Sequence, residues 1–361
     1  MGLNIAFFGS SLVSSRWNGA ATYYRGILRA HYDRGHRSVF YEPNAYERQE
    51  HRDIEDPHWS RVVVYEGQDG ARRCLDEATR ADVLVKASGV GVFDELLEAG
   101  VLERRRRNQL VVFWDVDAPA TLERVENDEH DPFARLIPRY DMVLTYGGGR
   151  PVVDRYLALG AKACVPIYNG LDPETHCPVP AAHKFASDLS FLANRLPDRE
   201  ARADEFFFGV AKRQPQRRFL LGGSGWQDKP KPGNVNYLGH VFTSDHNVFN
   251  TSAGAVLNVS RDSMARAGYS PATRLFEAAG AGACIISDAW VGIDQFFEPE
   301  REILVAASGD DVSDILNRMD EAARRRIGEA AHRRVIAQHT YAERALDVER
   351  ALGVTARAAS A

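Results

Sequence analysis

The sequence predicts an α/β protein of two domains, each built on a parallel sheet covered by helices. Three observations carry that reading. Short, near-continuous apolar runs bounded by turn residues recur; amphipathic helical stretches separate most of them; and the whole pattern restarts after a proline-rich loop in mid-chain. A chain of 361 residues, 44% hydrophobic and 26% charged, has the size and composition for two ordinary cores.

The first series of strands is expected at 4–8, 38–41, 62–65, 82–85, 110–114, 142–145 and 163–168. Asn169-Gly-Leu-Asp-Pro173 ends it, and a loop of proline and small residues fills 177–183. The second series is expected at 189–193, 219–222, 235–238, 255–259, 284–287 and 302–305. This gives a first domain over 1–175, a second over 185–340, and a final helix and tail over 341–361. The helical stretch 310–352 breaks near Gln338 to Thr340, so its last part is free to return across the first domain.

Composition excludes several classes. No apolar run reaches the roughly 18 to 20 residues that cross a bilayer, and no basic-then-apolar leader opens the chain, so no membrane span and a cytoplasmic location are expected. Cys74, Cys164, Cys177 and Cys284 are scattered with no C-x-x-C pair, which argues against a disulfide framework or a cysteine zinc site. A net charge of −5 gives no overall attraction to nucleic acid. The basic run Arg104 to Arg107 follows a helix expected to end near Leu102 and reads as a solvated helix end. Gly35-His36 reads as a C-cap glycine with a structural histidine.

In an open α/β sheet, ligands are received at the carboxyl ends of strands, so the strand-end loops carry the candidates. After the first strand come Phe8-Gly-Ser-Ser and then Asn18-Gly19 before a helix; the spacing is neither G-x-G-x-x-G nor a P-loop, which speaks against a dinucleotide cofactor and an NTPase. Asp115 and Asp117 follow the strand at 110–114. Asp117 is the better candidate for activating or orienting a hydroxyl, and the alternative is a proline turn or helix cap. With no third acidic ligand nearby, no metal site is expected there.

In the second domain, Asn194 and Arg199 follow a strand, Gly223 lies in Leu221-Gly-Gly-Ser-Gly-Trp226, and His240-Val241 follows another. Arg199 near a helix start is poorly placed for the helix dipole, a misfit that an anion would relieve. The most informative segment is Tyr269-Ser-Pro-Ala-Thr-Arg-Leu-Phe-Glu277-Ala-Ala-Gly-Ala-Gly. Ser270 suits an N-cap and Pro271 the first helical position, so the N–H groups near Thr273 can hold a phosphate. Arg274 and Glu277 share one helix face and suit a diphosphate and ribose hydroxyls, respectively; the alternative is an ordinary capped helix with an exposed ion pair.

The stretches Asp188-Leu-Ser-Phe-Leu-Ala-Asn194 to Arg199, Tyr237-Leu-Gly, Val256-Leu-Asn258-Val-Ser-Arg-Asp262 and Thr273-Arg-Leu-Phe-Glu277 together resemble the donor domain of GT-B glycosyltransferases. The branch related to the spore-maturation protein CgeB is the most similar, and the tail from Ala330 to Arg344 looks like that branch's ending. The resemblance covers roughly residues 185 to 345 well and the first half loosely. It implies two Rossmann-like domains facing across a cleft and a metal-independent transfer of a sugar from a nucleotide diphosphate, a UDP-sugar, to a hydroxyl-bearing acceptor. That acceptor is a small molecule, glycan, protein or modified nucleic acid. No cofactor is implied beyond the nucleotide sugar.

The resemblance also implies roles. Glu277 matches the glutamate that binds the donor ribose, Arg199 and Arg274 the diphosphate partners, and His240 with Val241 the neighbourhood of the base. Asn18 and Gly19 would let the first domain approach the donor. The pattern departs from the retaining enzymes' Glu-x7-Glu motif, because Tyr269 stands eight residues before Glu277. Two other readings use the same architecture: a sugar-nucleotide epimerase, and a non-enzymatic protein that closes on a small ligand.

Overall fold

The computed structural model describes residues 2–16 and 18–354. The chain begins with β1 (Asn4–Phe8), α1 (Ala21–Asp33), β2 (Arg37–Pro43), β3 (Arg61–Tyr65), α2 (Gly67–Ala78), β4 (Val83–Ala87) and α3 (Asp94–Glu103). There follow β5 (Leu110–Asp115), α4 (Ala118–Asn127), β6 (Met142–Thr145), α5 (Gly149–Ala158) and β7 (Cys164–Pro166). The second series comprises β8 (Leu189–Leu192), α6 (Pro197–Ala203), α7 (Gly209–Arg213), β9 (Phe219–Gly222), β10 (Val235–Tyr237), α8 (Thr243–Thr251) and β11 (Val256–Asn258). It ends with α9 (Asp262–Ala267), α10 (Thr273–Gly280), β12 (Ile285–Asp288), β13 (Leu304–Ala306), α11 (Gly309–Arg318), α12 (Glu321–Gln338) and α13 (Tyr341–Ala351).

Two compact units result, one from the start to Tyr168 together with the chain from Tyr341, the other Asn169–Thr340. Residues 355–361 of the expected tail lie outside the described residues.

The first unit holds a seven-stranded sheet of order β3-β2-β1-β4-β5-β6-β7, with every pairing parallel. Side chains of β1 alternate between two covered faces: Ala6 and Phe8 pack into one apolar cluster, Ile5 and Phe7 into the other. On the second face α13 lies with α1, burying Tyr341, Ala345 and Val348 among Ile5, Phe7 and Tyr24. Burial of an aliphatic or aromatic side chain of this size stabilises by roughly 1.5–3 kcal/mol. The helices approach so closely that a Cβ on Gly26 of α1 would stand 2.2 Å from the Tyr341 ring. At the far end of α13, Glu349 accepts from Arg34 Nη2 at 2.7 Å and pairs with His36 Nε2 at 2.9 Å. His36 is thus structural, and Gly35 supplies the left-handed residue beyond the helix, with φ 88°.

The second unit carries a six-stranded parallel sheet of order β10-β9-β8-β11-β12-β13. Its core clusters around Phe191, Phe207, Leu221, Leu257 and Ile286. The boundary differs from the expected one: the unit starts at Asn169, before the proline-rich stretch, because that stretch is tied down. Leu171 N donates to His339 O at 2.7 Å, the side chain of Leu171 fills the space beside Gly280, and Cys177 N donates to Asn247 Oδ1 at 3.3 Å.

Candidate active site

In each sheet the strand order reverses once, between β1 and β4 in the first unit and between β8 and β11 in the second. At such a switch point the loops diverge and leave a crevice at the carboxyl ends of the strands. The second unit's polar groups gather there. After β8, the Asn194 carbonyl accepts from Arg199 Nη1 at 3.1 Å, and its side-chain Oδ1 accepts from Ser224 N at 2.9 Å. After β11, Asn258 Oδ1 accepts from Arg274 Nη1 at 3.1 Å. Asp288, buried at the end of β12, accepts from Ser260 N at 2.9 Å and from Arg202 Nη2 at 2.7 Å.

These bonds concentrate positive charge. Burial, and then the neighbouring Arg274 and Arg261, push Arg199 down to about 9, and its Nε is buried without a hydrogen-bond partner. Burial likewise lowers Arg274. Asp288 is paired with Arg202 and Asp198 with Arg261 Nε at 3.0 Å, whereas the partner of Arg274 is a neutral amide. Guanidiniums that repel one another beside a strand-end crevice can meet an anion there.

The start of α10 departs from expectation. Its N-cap is Ala272, and the helix begins at Thr273. Ser270 is buried and donates its hydroxyl to Gly268 O at 2.9 Å, so it caps nothing, and Pro271 precedes the helix instead of opening it. The preceding Tyr269 sits at φ 48° with its N–H held by Val291 O at 2.7 Å, which bends the chain before the helix can start. Thr273 and Arg274 therefore form the first turn, whose N–H groups have no intrahelical acceptor.

One turn further along α10, Glu277 Oε1 lies 3.8 Å from His176 Nε2, and His246 completes a group whose ligating atoms all lie within 4.8 Å of one another. His176 comes from the stretch read as a linker and His246 from α8; sequence reasoning missed both. Arg202 and Arg261 were missed too, although Arg202 shares a helix face with Arg199 three residues earlier.

The remaining candidates fall into two groups. Gly223 is structural: it has φ 113°, and a Cβ there would meet Ala193 O at 2.1 Å. Val241 is buried and its carbonyl accepts from His246 Nε2 at 3.3 Å, while His240 is exposed and packs edge-on against Phe242. In the first unit, the amide of Asn18 accepts from Ser10 Oγ and donates to Ser11 O and Ser14 O, so it shapes its own loop; Gly19 is exposed with open space around it. Asp115 is fully buried and accepts from Ser88 Oγ at 2.7 Å, Thr121 Oγ1 at 3.1 Å, Asp117 N at 3.0 Å and the Tyr156 hydroxyl. That leaves no room for it as a base. Asp117 is exposed at the N-cap of α4, with no capping bond from its side chain.

Solved structures of the same fold cover nearly the whole chain. Anabaena HepE in complex with UDP and glucose matches at TM-score 0.71 and 13% identity, over 98% of this chain and 100% of that one. The chain has the GT-B glycosyltransferase fold. Sucrose-phosphate synthase from Thermosynechococcus elongatus matches at TM-score 0.69 and 15% identity, over 97% and 98% of the two chains. An Escherichia coli trehalose-6-phosphate structure bound with UDP-2-fluoro glucose matches at 0.67 and 10%, over 98% and 100%. Residues 199–350 of the GT-B chain match the glycosyl transferase-like sequence family, a span that takes in Arg199, Asn258, Arg274 and Glu277. No curated protein sequence matches it. Among the described residues, no helix is long and apolar enough to cross a membrane.

Proposed function

We propose that this protein transfers a sugar from a UDP-sugar to a hydroxyl group of an acceptor. The observation that carries the proposal is the Arg199–Arg274 pair at the β8/β11 switch point, with Arg274 held on a neutral amide and Arg199 strained by its neighbours. In the transfer, the acceptor oxygen forms a bond to the anomeric carbon as the bond from that carbon to the diphosphate oxygen breaks. One further negative charge builds up on the leaving diphosphate, which already carries two, and a proton leaves the acceptor hydroxyl. Arg199, Arg274 and the first turn of α10 at Thr273 would meet that charge, so no metal is needed at the diphosphate. Asp117, with its carboxylate exposed beyond β5, is our choice for taking up or orienting the acceptor proton.

For the nucleoside, Glu277 would receive the ribose hydroxyls, and His240 with Val241 would border the base. The loop shaped by Asn18, with Gly19 at its open end, would approach the donor. The likeness to the CgeB-related branch, read from residues 188–277 and 330–344, supports a bacterial enzyme of this kind. The epimerase alternative asks for well-placed carboxylates in the first unit, and Asp115 is committed to Ser88, Thr121 and Tyr156.

Calorimetric titration of the purified protein with UDP, GDP, ADP and TDP in EDTA tests the reading. Saturable binding of UDP, lost in Arg274→Ala, is the expected result; no binding of any of the four by folded protein would overturn it.

A further inference from the structure

We infer that His176, His246 and Glu277 form a binding site for a divalent transition-metal ion of the zinc class. The histidine protons sit on the nitrogens turned away from the cluster. His246 Nε2 faces the Val241 carbonyl at 3.3 Å, and a carbonyl only accepts, so Nε2 carries the proton and Nδ1 presents a bare lone pair. The Thr175 hydroxyl donates to Asp172 O at 3.1 Å, so its oxygen accepts from His176 Nδ1 at 3.0 Å, leaving the lone pair on His176 Nε2. Both bare nitrogens are buried without a hydrogen-bond partner.

The cluster therefore consists of two lone pairs and a carboxylate within 4.8 Å of one another, with no donor among them. Three acceptors facing each other in a buried place repel unless a cation or a pair of hydroxyl donors stands between them. The composition favours the cation. Two imidazoles and one carboxylate are the three protein ligands of open zinc sites, in which a fourth position is left to solvent. Each imidazole is already oriented by a bond from its remote nitrogen, as metal-bound histidines are. Tetrahedral zinc needs donors roughly 3.3–3.5 Å apart. The His176 Nε2 to Glu277 Oε1 distance is 3.8 Å, so closure takes small side-chain rotations. The Glu277 side chain is 18% exposed and gives the ion a path in.

The site shares Glu277 with the donor reading, while His176 and His246 are its own. The test takes full-length, tag-free protein stripped with EDTA and freed of chelator. Co²⁺ is titrated while visible absorption is followed, and Zn²⁺ by calorimetry. One equivalent should bind, with the visible bands of low-coordinate Co²⁺, and affinity should fall at least tenfold in His246→Gln and in Glu277→Gln, the latter preserving side-chain shape if the histidine variant fails to fold. No saturable binding, or unchanged affinity in variants that melt like the parent, overturns the site. So does a metal-free result in which His246→Gln weakens UDP binding tenfold, since that imidazole would then serve the nucleotide. A failure of UDP binding alone leaves the metal titration unaffected, so the two proposals fail separately.

Discussion

Arg274 Nη1 rests 3.1 Å from Asn258 Oδ1, a partner that fixes the guanidinium without neutralising it. A carboxylate in the same place would hold the arginine as firmly and cancel its charge. Nearby, Arg202 shows the contrast, since it is spent on Asp288 at 2.7 Å.

Asn258→Ala should leave Arg274 charged but unaimed. Hydrogen bonds to charged groups contribute about 1.5–3 kcal/mol, so UDP affinity should drop about tenfold or more. Calorimetry on the variant decides the point, and an unchanged dissociation constant would remove Asn258 from the site.

Arg199 is pushed down to about 9 by burial and by Arg274 and Arg261, so its charge burdens the folded protein at neutral pH. Arg199→Gln should therefore raise the melting temperature while weakening UDP binding. A variant that melts lower and binds as well as the parent would contradict the assignment on both counts.

The two aspartates beyond β5 should separate cleanly. Asp117→Asn should slow transfer with nucleotide affinity nearly intact. Asp115→Ala should instead destabilise the first unit, because Ser88, Thr121 and Tyr156 lose a shared buried acceptor, at a cost of about 1–3 kcal/mol for each group left unpaired. Thermal melts beside a transfer assay distinguish them.

Acid should loosen the docking of α13. Burial, and then His36, lower His31 to about 3, and the bond from Arg34 leads in lowering Glu349 to about 2. In both cases the folded state binds fewer protons than the unfolded chain, so stability falls with pH: from about 6.5 downward for His31, and from about 4.5 downward for Glu349. Melting temperatures from pH 7 to 4 should show the decline, and His31→Leu should flatten it between pH 6.5 and 4.5. An equally steep profile in that variant would exclude His31 as the source.

Much of this fold can be read from the sequence because parallel strands buried on both faces write themselves as continuous apolar runs; Leu189-Ser-Phe-Leu and Phe219-Leu-Leu-Gly are strands as expected. The placement of Arg274 and Glu277 on one short helix, α10, was legible through their spacing. Ser270 was misread because a serine hydroxyl can accept from a helix N–H or donate to a carbonyl, and the backbone at Tyr269 turns it back to donate to Gly268 O. His176 was invisible for a different reason: it stands in a proline-rich stretch with no periodicity, and its neighbours His246 and Glu277 are distant in sequence.

The placement of α13 on α1 has a consequence for biosynthesis. The first unit is a split domain, with all of residues 169–340 inserted before its last helix. A ribosome delivers β1 to β7 early, yet the groove that α13 fills, beside Gly26 and Phe7, stays open until residues 341–351 emerge. The nascent first unit must wait with apolar surface uncovered while the entire second unit is translated. A stop placed just after Thr340 would release a chain whose later-made domain is whole and whose earlier-made domain lacks α13.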